Sequence, residues 1–467
     1  MLADALSQKM IITLDRHTRI HGADPALFAF LSATFRITNP KWVENDRMGR
    51  WNRDTPQELI FYHHLKNGDI CIPRGYARQL ILMLRKQQAA FQVEDHRRRC
   101  PDVDFEFSAT LKPFQVEAVN AMARYDSGTL SAPTGSGKTI MGLALVARRR
   151  QPALVVVHTK ELAFQWVDRI TAFLGIPADA VGMIGAGKNK IGEKITVALV
   201  QSLYRCADTV APKIGQLVVD ECHRAPSRTF TEAVTAFDAR YLLGLSATPW
   251  RRDRLSRLIF WHLGPVHYEV SRQRLEQDGH ILKADVVIRW TDFESHVDPV
   301  AEYSRMLSEL AADDARNRMI AADVEKEVQA GNGVCLVLSD RKKHCETLVF
   351  ILRHKFNCPA EQLTGDLSAD ERRQVLDRLG KGEVKVLVAT GQLIGEGFDC
   401  PALSTLFLAT PVRFSGRVMQ YLGRILRPDS GKAGARVYDY VDGRVPPLMA
   451  AAKARQEVYG NREEIEK

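Results

Sequence analysis

The sequence predicts an α/β protein with two domains built on parallel sheets covered by helices, preceded by a small α+β domain. Three observations carry this. From Ala132 onward, short β-branched apolar runs alternate with longer helix-like stretches. Those runs fall into two sets, parted by the charged, glycine-containing segment 271–285. Residues 1–105 belong to neither set and mix aromatic with basic side chains.

Each element has its own reason. In the first set stand ALVVV (153–157), ITVALV (195–200), QLVVD (216–220) and YLLGLS (241–246). In the second stand VCLVLS (334–339), VKVLVAT (384–390) and TLFLAT (405–410). Unbroken apolar runs between helices mark strands buried on both faces, the signature of parallel sheets. A helix-like stretch over 300–330 leads into the second set. Ahead of both, IPRGYARQLILMLRK (72–86) reads as a turn followed by an amphipathic helix. The expected domains are 1–105, 106–275 and 276–467. The residues beyond the last lobe read as a short charged tail, with no room for a fused nuclease.

Size and composition agree with this division. A chain of 467 residues is long for one core. Hydrophobic residues at 45% and charged residues at 26% are globular values. The net charge of +9 favours a polyanionic partner, because Lys and Arg displace the counterions condensed on phosphates. No apolar run approaches the roughly 20 residues that span a bilayer. The eight cysteines include no C-x-x-C pair, which argues against disulfides and for a reducing cytoplasm. Cys335, His344, Cys345, His354 and Cys358 lie near one another, but their spacing fits no zinc pattern.

Chemistry concentrates in two segments. Ala132-Pro133-Thr134-Gly135-Ser136-Gly137-Lys138-Thr139 runs from a strand into a helix and fits a phosphate-binding loop, with Ala132 where the strict pattern has glycine. Gly135 and Gly137 let backbone N–H groups converge on phosphate. Lys138 would reach the β- and γ-phosphates of ATP, and the Thr139 hydroxyl would ligate Mg²⁺. QLVVDECH then delivers Asp220 and Glu221 to the carboxyl edge of a sheet. Asp220 would hold magnesium and Glu221 would orient and deprotonate the attacking water, with His223 relaying nucleotide state to its neighbours.

Over roughly 111–430 the sequence resembles a superfamily 2 helicase of the DExH kind, with two RecA-like domains. The motifs occur in family order: LKPFQVEAV with Gln115, VVVHTKELAFQW, ALVQSL, DECH, SATP, LVLSDRKKHCETL, VATGQLIGEGFDCP and QYLGRILRP. The resemblance implies that Gln115 reads adenine and that Gly397 and Asp399 face the nucleotide. Arg424 and Arg427, three apart and so on one helical face, would act as an arginine-finger pair beside Gln420. Ser246 and Thr248 would link the ATP site to the track. Thr159, Gln201, Ser202, Ser339, Thr364, Gly365 and Thr390 are small polar or flexible residues suited to sequence-independent backbone contacts, or to ordinary capping and turns.

Within the superfamily, SATPWRRDRLSRLIFWHLGPVHYEV is most similar to the XPB-like group, which includes phage UvsW-type proteins. Arg251, Arg252 and Asp253 match that group's RED element only in part, and its thumb insertion is missing or much shortened. The expectation is an ATP-dependent, monomeric translocase on duplex, forked or branched DNA. An RNA-dependent ATPase and an ATP-switched clamp are the rivals. Trp42, Trp51 and Tyr76 with Arg47, Arg50, Arg53, Arg74 and Arg78 form either a base-stacking, phosphate-binding surface or a small core with a solvated exterior.

Overall fold

The computed structural model describes residues 10–224, 228–247, 255–331, 333–391, 393, 400, 402–412, 418, 421–423, 425–426, 432 and 434–459. One unit comprises Met1–Ala132 and Gly137–Val270; the other comprises Ser271–Lys467 with Pro133–Ser136.

In the first unit, a buried sheet is ordered Lys188–Lys190, Gly182–Gly185, Ile195–Leu199, Ala153–Val157, Gln216–Val219, Tyr241–Ser246, Ser127–Ser131, Val266–Glu269. Every pairing is parallel except that of the hairpin at Lys188–Lys190. The expected apolar runs supply its centre, where Ala153–Val157 and Gln216–Val219 are buried throughout. Register places the chemistry. Ser246 pairs with Ser131 and Val219 with Gly244, so three strands end side by side where the glycine-bearing loop after Ser131, Asp220 and Ser246 emerge.

A second sheet in the same unit is ordered His63–His64, Ile70–Pro73, His17–His21, Met10–Leu14, Phe91–Asp95. It is antiparallel except for the outer pair Met10–Leu14 and Phe91–Asp95. Helices Pro25–Thr34 and Ala77–Lys86 complete a core of Ile12, Leu31, Phe35 and Leu80. This core is shared with the larger sheet's domain: Leu258 and Trp261 insert into it, and the Trp261 ring lies 4.9 Å from Phe35 and 5.6 Å from Phe61.

The second unit holds six parallel strands ordered Ala284–Trp290, Ala435–Val441, Leu403–Leu408, Val334–Ser339, Val386–Thr390, Ala360–Leu363. The expected helical stretch is two helices, Tyr303–Ala312 and Asp314–Gln329, because Asp313 caps the second through its carboxylate. Along the second helix a buried polar stripe is fully partnered. Arg316 bonds Asp442 and the Ala409 carbonyl, Asp323 bonds Tyr440 and Arg289, and Glu327 bonds Tyr438 and Arg436.

The charged tail expected over 454–467 is corrected in its first part, 454–459, while 460–467 lie outside the described residues. Pro446–Tyr459 is a helix, and Arg455 turns inward to a buried bidentate pair with Asp439, joined by the Tyr459 hydroxyl. Cys335, Cys345 and Cys358 are core residues, and His344 bonds Ser339 and Asn317.

Candidate nucleotide site

The loop after strand Ser127–Ser131 owes its shape to two glycines. Gly135 and Gly137 stand at φ +88° and +85°, a region that penalises a Cβ. A Cβ on Gly137 would also lie 2.6 Å from Gln115 Nε2. Ala132, in place of the expected first glycine, needs no such freedom. It is buried, lacks a positive φ and donates its N–H to Ser246 O at 2.9 Å, continuing the sheet. Ser136 Oγ donates to Pro133 O at 2.7 Å and tightens the turn. Gly137 caps helix Lys138–Arg149, whose first-turn N–H groups and positive end face the loop.

Lys138 is buried. Its ammonium donates to the Ala132 carbonyl at 3.2 Å and lies 3.9 Å from Glu221 Oε1, between loop backbone and acidic pair. Gln115 is held by its own helix start, where Oε1 accepts from Lys112 N at 2.9 Å while the amide nitrogen abuts Gly137.

The acidic pair is built unevenly. Asp220, 6% exposed, accepts from Trp166 Nε1 at 2.8 Å and from Glu221 N at 2.9 Å. Burial, with the Glu221 carboxylate next to it, pushes its carboxyl pKa upward. Glu221 stands at φ +47°, strained for a non-glycine residue. His223 Nδ1 lies 3.2 Å from Glu221 Oε2 and 3.1 Å from Ser246 Oγ. One ring nitrogen cannot serve both fully, so His223 is a junction between the carboxylate and the strand end carrying Ser246.

Thr139 and Asp220 offer hard oxygen donors of the kind magnesium takes, and a cation beside Asp220 would relieve a poorly solvated charge. The donor set fits the ion.

The structure thus brings together Gln115, Gly137, Lys138, Asp220, Glu221, His223 and Ser246. Thr248, Gly397, Asp399, Gln420, Arg424 and Arg427 lie outside the described residues, as do Arg251, Arg252 and Asp253. The backbone-contact candidates vary. Thr159 Oγ1 caps helix Lys160–Leu174 by accepting from Leu162 N. Ser339 is 1% exposed and its hydroxyl engages His344 and the Arg341 backbone, while Thr364 is 2% exposed. Gln201 and Gly365 are exposed, and Ser202 and Thr390 are half-buried. Of the amino-terminal aromatics, Tyr76 packs edge-on against Phe35 in the core, and Trp51 is 83% exposed beneath the Arg53 guanidinium.

Trp166 escaped the sequence reading. Its signal was an indole on an apolar helix face, since a buried indole N–H needs an acceptor.

Two family profiles match: "Type III restriction enzyme, res subunit" over residues 108–251 and "Helicase conserved C-terminal domain" over residues 319–429. The DNA 3'-5' helicase XPB of Kineococcus radiotolerans is 27% identical over 349 residues, covering 71% of this chain and 59% of that protein. The DNA 3'-5' translocase XPB2 of Sulfurisphaera tokodaii is 27% identical over 358 residues, covering 69% and 80%. A fragment described as an HsdR subunit of a type I restriction enzyme from Vibrio vulnificus shares the fold. Its TM-score is 0.59 at 20% identity, over 76% of this chain and 68% of that one. Among the described residues no helix is long and apolar enough to cross a membrane.

Proposed function

This chain is a superfamily 2 helicase of the XPB-like group, and on that footing we propose that it hydrolyses ATP to move on or remodel duplex or branched DNA. One arrangement carries the reading: Glu221, held in a left-handed conformation, stands between Lys138 and His223. A carboxylate so placed can take a proton from water, while the lysine neutralises charge on the phosphates.

The geometry supports a division of labour. N–H groups of the loop and first helical turn bind the phosphates. Thr139 and Asp220 would hold magnesium, which neutralises charge across the β- and γ-phosphates when bound. Glu221 orients the attacking water, and its carboxylate is steadied by His223. As phosphate leaves, any shift of Glu221 is felt by His223 and so by Ser246. Gln115, beside Gly137, reads the base. On sequence alone, Arg424 and Arg427 complete the charge stabilisation. The relatives' names, a DNA 3'-5' helicase and a DNA 3'-5' translocase, support DNA as the track and 3'-to-5' as the direction.

Steady-state ATPase assays without nucleic acid and with single-stranded DNA, duplex DNA, a forked junction or RNA test this, with Lys138→Ala as the blank. Strong stimulation by duplex or forked DNA is expected. Stimulation chiefly by RNA, or by nothing, would overturn it.

A further inference from the structure

We propose that a basic groove at the seam between the amino-terminal sheet and the larger sheet's domain holds the phosphodiester backbone of the DNA strand. This rests on the proposed function and adds a second place where that track is gripped, within the first unit and apart from the strand ends carrying the nucleotide site. The groove encloses about 400 Å³. Arg74, Arg78, Arg85, Arg97 and Arg124 line it together with Tyr125.

Charge accounting leaves the groove unbalanced. Asp126, the only acidic residue lining it among the described residues, is already shared by Arg97 at 2.8 Å and Arg240 at 3.4 Å. Arg97 is otherwise engaged by Asp95. Among the described residues, Arg78, Arg85 and Arg124 pair with no carboxylate. Arg74 is 6% exposed, donates to the Asp15 carbonyl at 3.1 Å, and likewise has no carboxylate within ion-pair distance. Asp238, Asp15 and Asp95 offset its charge only in part, from beyond that distance, and a guanidinium so buried gains from an anion that meets it directly. Burial, with Arg97 nearby, holds the Arg74 pKa down to about 9, the shift an incoming phosphate would reverse.

Shape selects a strand over a single ion. Helix Ala77–Lys86 carries Arg78 and Arg85 seven residues apart, on one face and about 10 Å apart along its axis. A repeating anion can meet both without the side chains converging, and Arg74 lies one turn before them. The apolar stretch between, Ile81 and Leu82, would lie under sugar. Arg78 sits 5.0 Å over the Tyr125 ring, and Tyr125 stacks on His267 at 3.6 Å and 8°. This column fixes the guanidinium in place rather than leaving it to sweep solvent.

The seam is tight enough to transmit load. A Cβ on Gly75 would lie 2.5 Å from Gly264 N, 2.7 Å from Phe260 O and 2.7 Å from Trp261 O, all backbone atoms. A strand held by Arg78 and Arg85 is therefore held relative to the strand ends that carry Lys138 and Glu221.

Fluorescence anisotropy of labelled forked DNA against the full chain, over a salt series, tests this alongside ATPase stimulation. Wild type, Arg78→Glu/Arg85→Glu and Arg78→Lys/Arg85→Lys are compared, each checked by thermal melting. The glutamate pair should bind at least about tenfold more weakly, and its log K against log[salt] slope should shrink by between one and two. The lysine pair should keep the wild-type slope. Unchanged affinity and slope in the glutamate pair, with wild-type ATPase stimulated by DNA, would overturn the groove while leaving the proposed function intact. Arginine-dependent DNA binding without ATPase stimulation would support the groove and sink that function instead. Pyrophosphate serves as the competing probe. Should the glutamate pair lose its binding while DNA affinity stays put, the groove serves a free phosphate compound and the strand assignment fails.

Discussion

The indole N–H of Trp166 donates to Oδ2 of Asp220 at 2.8 Å, joining the middle of helix Lys160–Leu174 to the carboxyl end of strand Gln216–Val219. Both oxygens of the carboxylate are thus oriented, Oδ2 by the indole and Oδ1 by the Glu221 N–H at 2.9 Å, and a cation would use the lone pairs that remain. Outer partners of a metal-binding carboxylate set its orientation, and losing one typically costs about 10–100-fold in metal affinity or activity.

Trp166→Phe keeps the packing and removes the donor. The expected result is a higher Mg²⁺ requirement for ATP hydrolysis, about tenfold or more, and lower kcat at fixed magnesium. Stability should fall by about 1–3 kcal/mol, since a buried acceptor loses its bond. Magnesium titration of the ATPase rate is the check; a wild-type curve would show that the indole merely fills space.

Gly75 governs how closely the amino-terminal sheet docks. Because its hypothetical Cβ meets backbone rather than movable side chains, Gly75→Ala must part the seam. A loss of about 1–3 kcal/mol is expected, as for overpacking elsewhere. Limited proteolysis should then release the amino-terminal domain at lower protease concentration than in wild type. Equal resistance would mean that the seam already slides.

Local chemistry was the legible part of this molecule. Gly135 and Gly137 in a strand-to-helix loop point to a tight phosphate-binding turn, and QLVV before Asp220 to a buried strand, because both depend on neighbours in sequence. Trp166 was not legible because its acceptor lies 54 residues away. Arg455 and Asp439 sit on different elements, so charge near the chain's end read as solvated tail although the pair is buried. Strand Ala284–Trp290 was missed because it is a half-exposed edge strand without an unbroken apolar run, and Gly182–Gly185 because its glycines imitate a turn. The amino-terminal aromatics show the limit most plainly. Composition left surface and core equally open, and the structure divides them, Tyr76 inward and Trp51 outward.

Glu221→Gln and Lys138→Ala should separate binding from hydrolysis. The glutamine keeps size and hydrogen bonding but cannot take the proton, so ATP should still bind while turnover falls by about 10²–10⁴-fold. Removing Lys138 should weaken ATP binding itself. Equilibrium binding of a fluorescent ATP analogue distinguishes the two. If the glutamine variant turned over ATP at near the wild-type rate, Glu221 would not be the base.

Acid should weaken the fold through two buried histidines. His344 is 1% exposed, with Nδ1 3.0 Å from Ser339 Oγ and Nε2 2.7 Å from Asn317 Oδ1. Burial, helped by the Arg316 guanidinium, holds its pKa down to about 3, against about 6.5 in an unfolded chain. In the first unit, burial and nearby His17 hold His262 down to about 4. Below pH 6.5 the unfolded chain binds protons that the folded chain refuses, so unfolding is favoured progressively. The stabilisation is therefore complete above about pH 6.5 and is lost as pH falls toward the folded values. At pH 5 each histidine accounts for about 2 kcal/mol of lost stability. His344→Gln can keep a hydrogen bond to Asn317 or Ser339 but cannot titrate, so it should lose less stability than wild type between pH 7 and pH 5. Urea unfolding at the two pH values measures this, and equal losses in both proteins would mean that His344 takes up its proton in the folded state as readily as in the unfolded one.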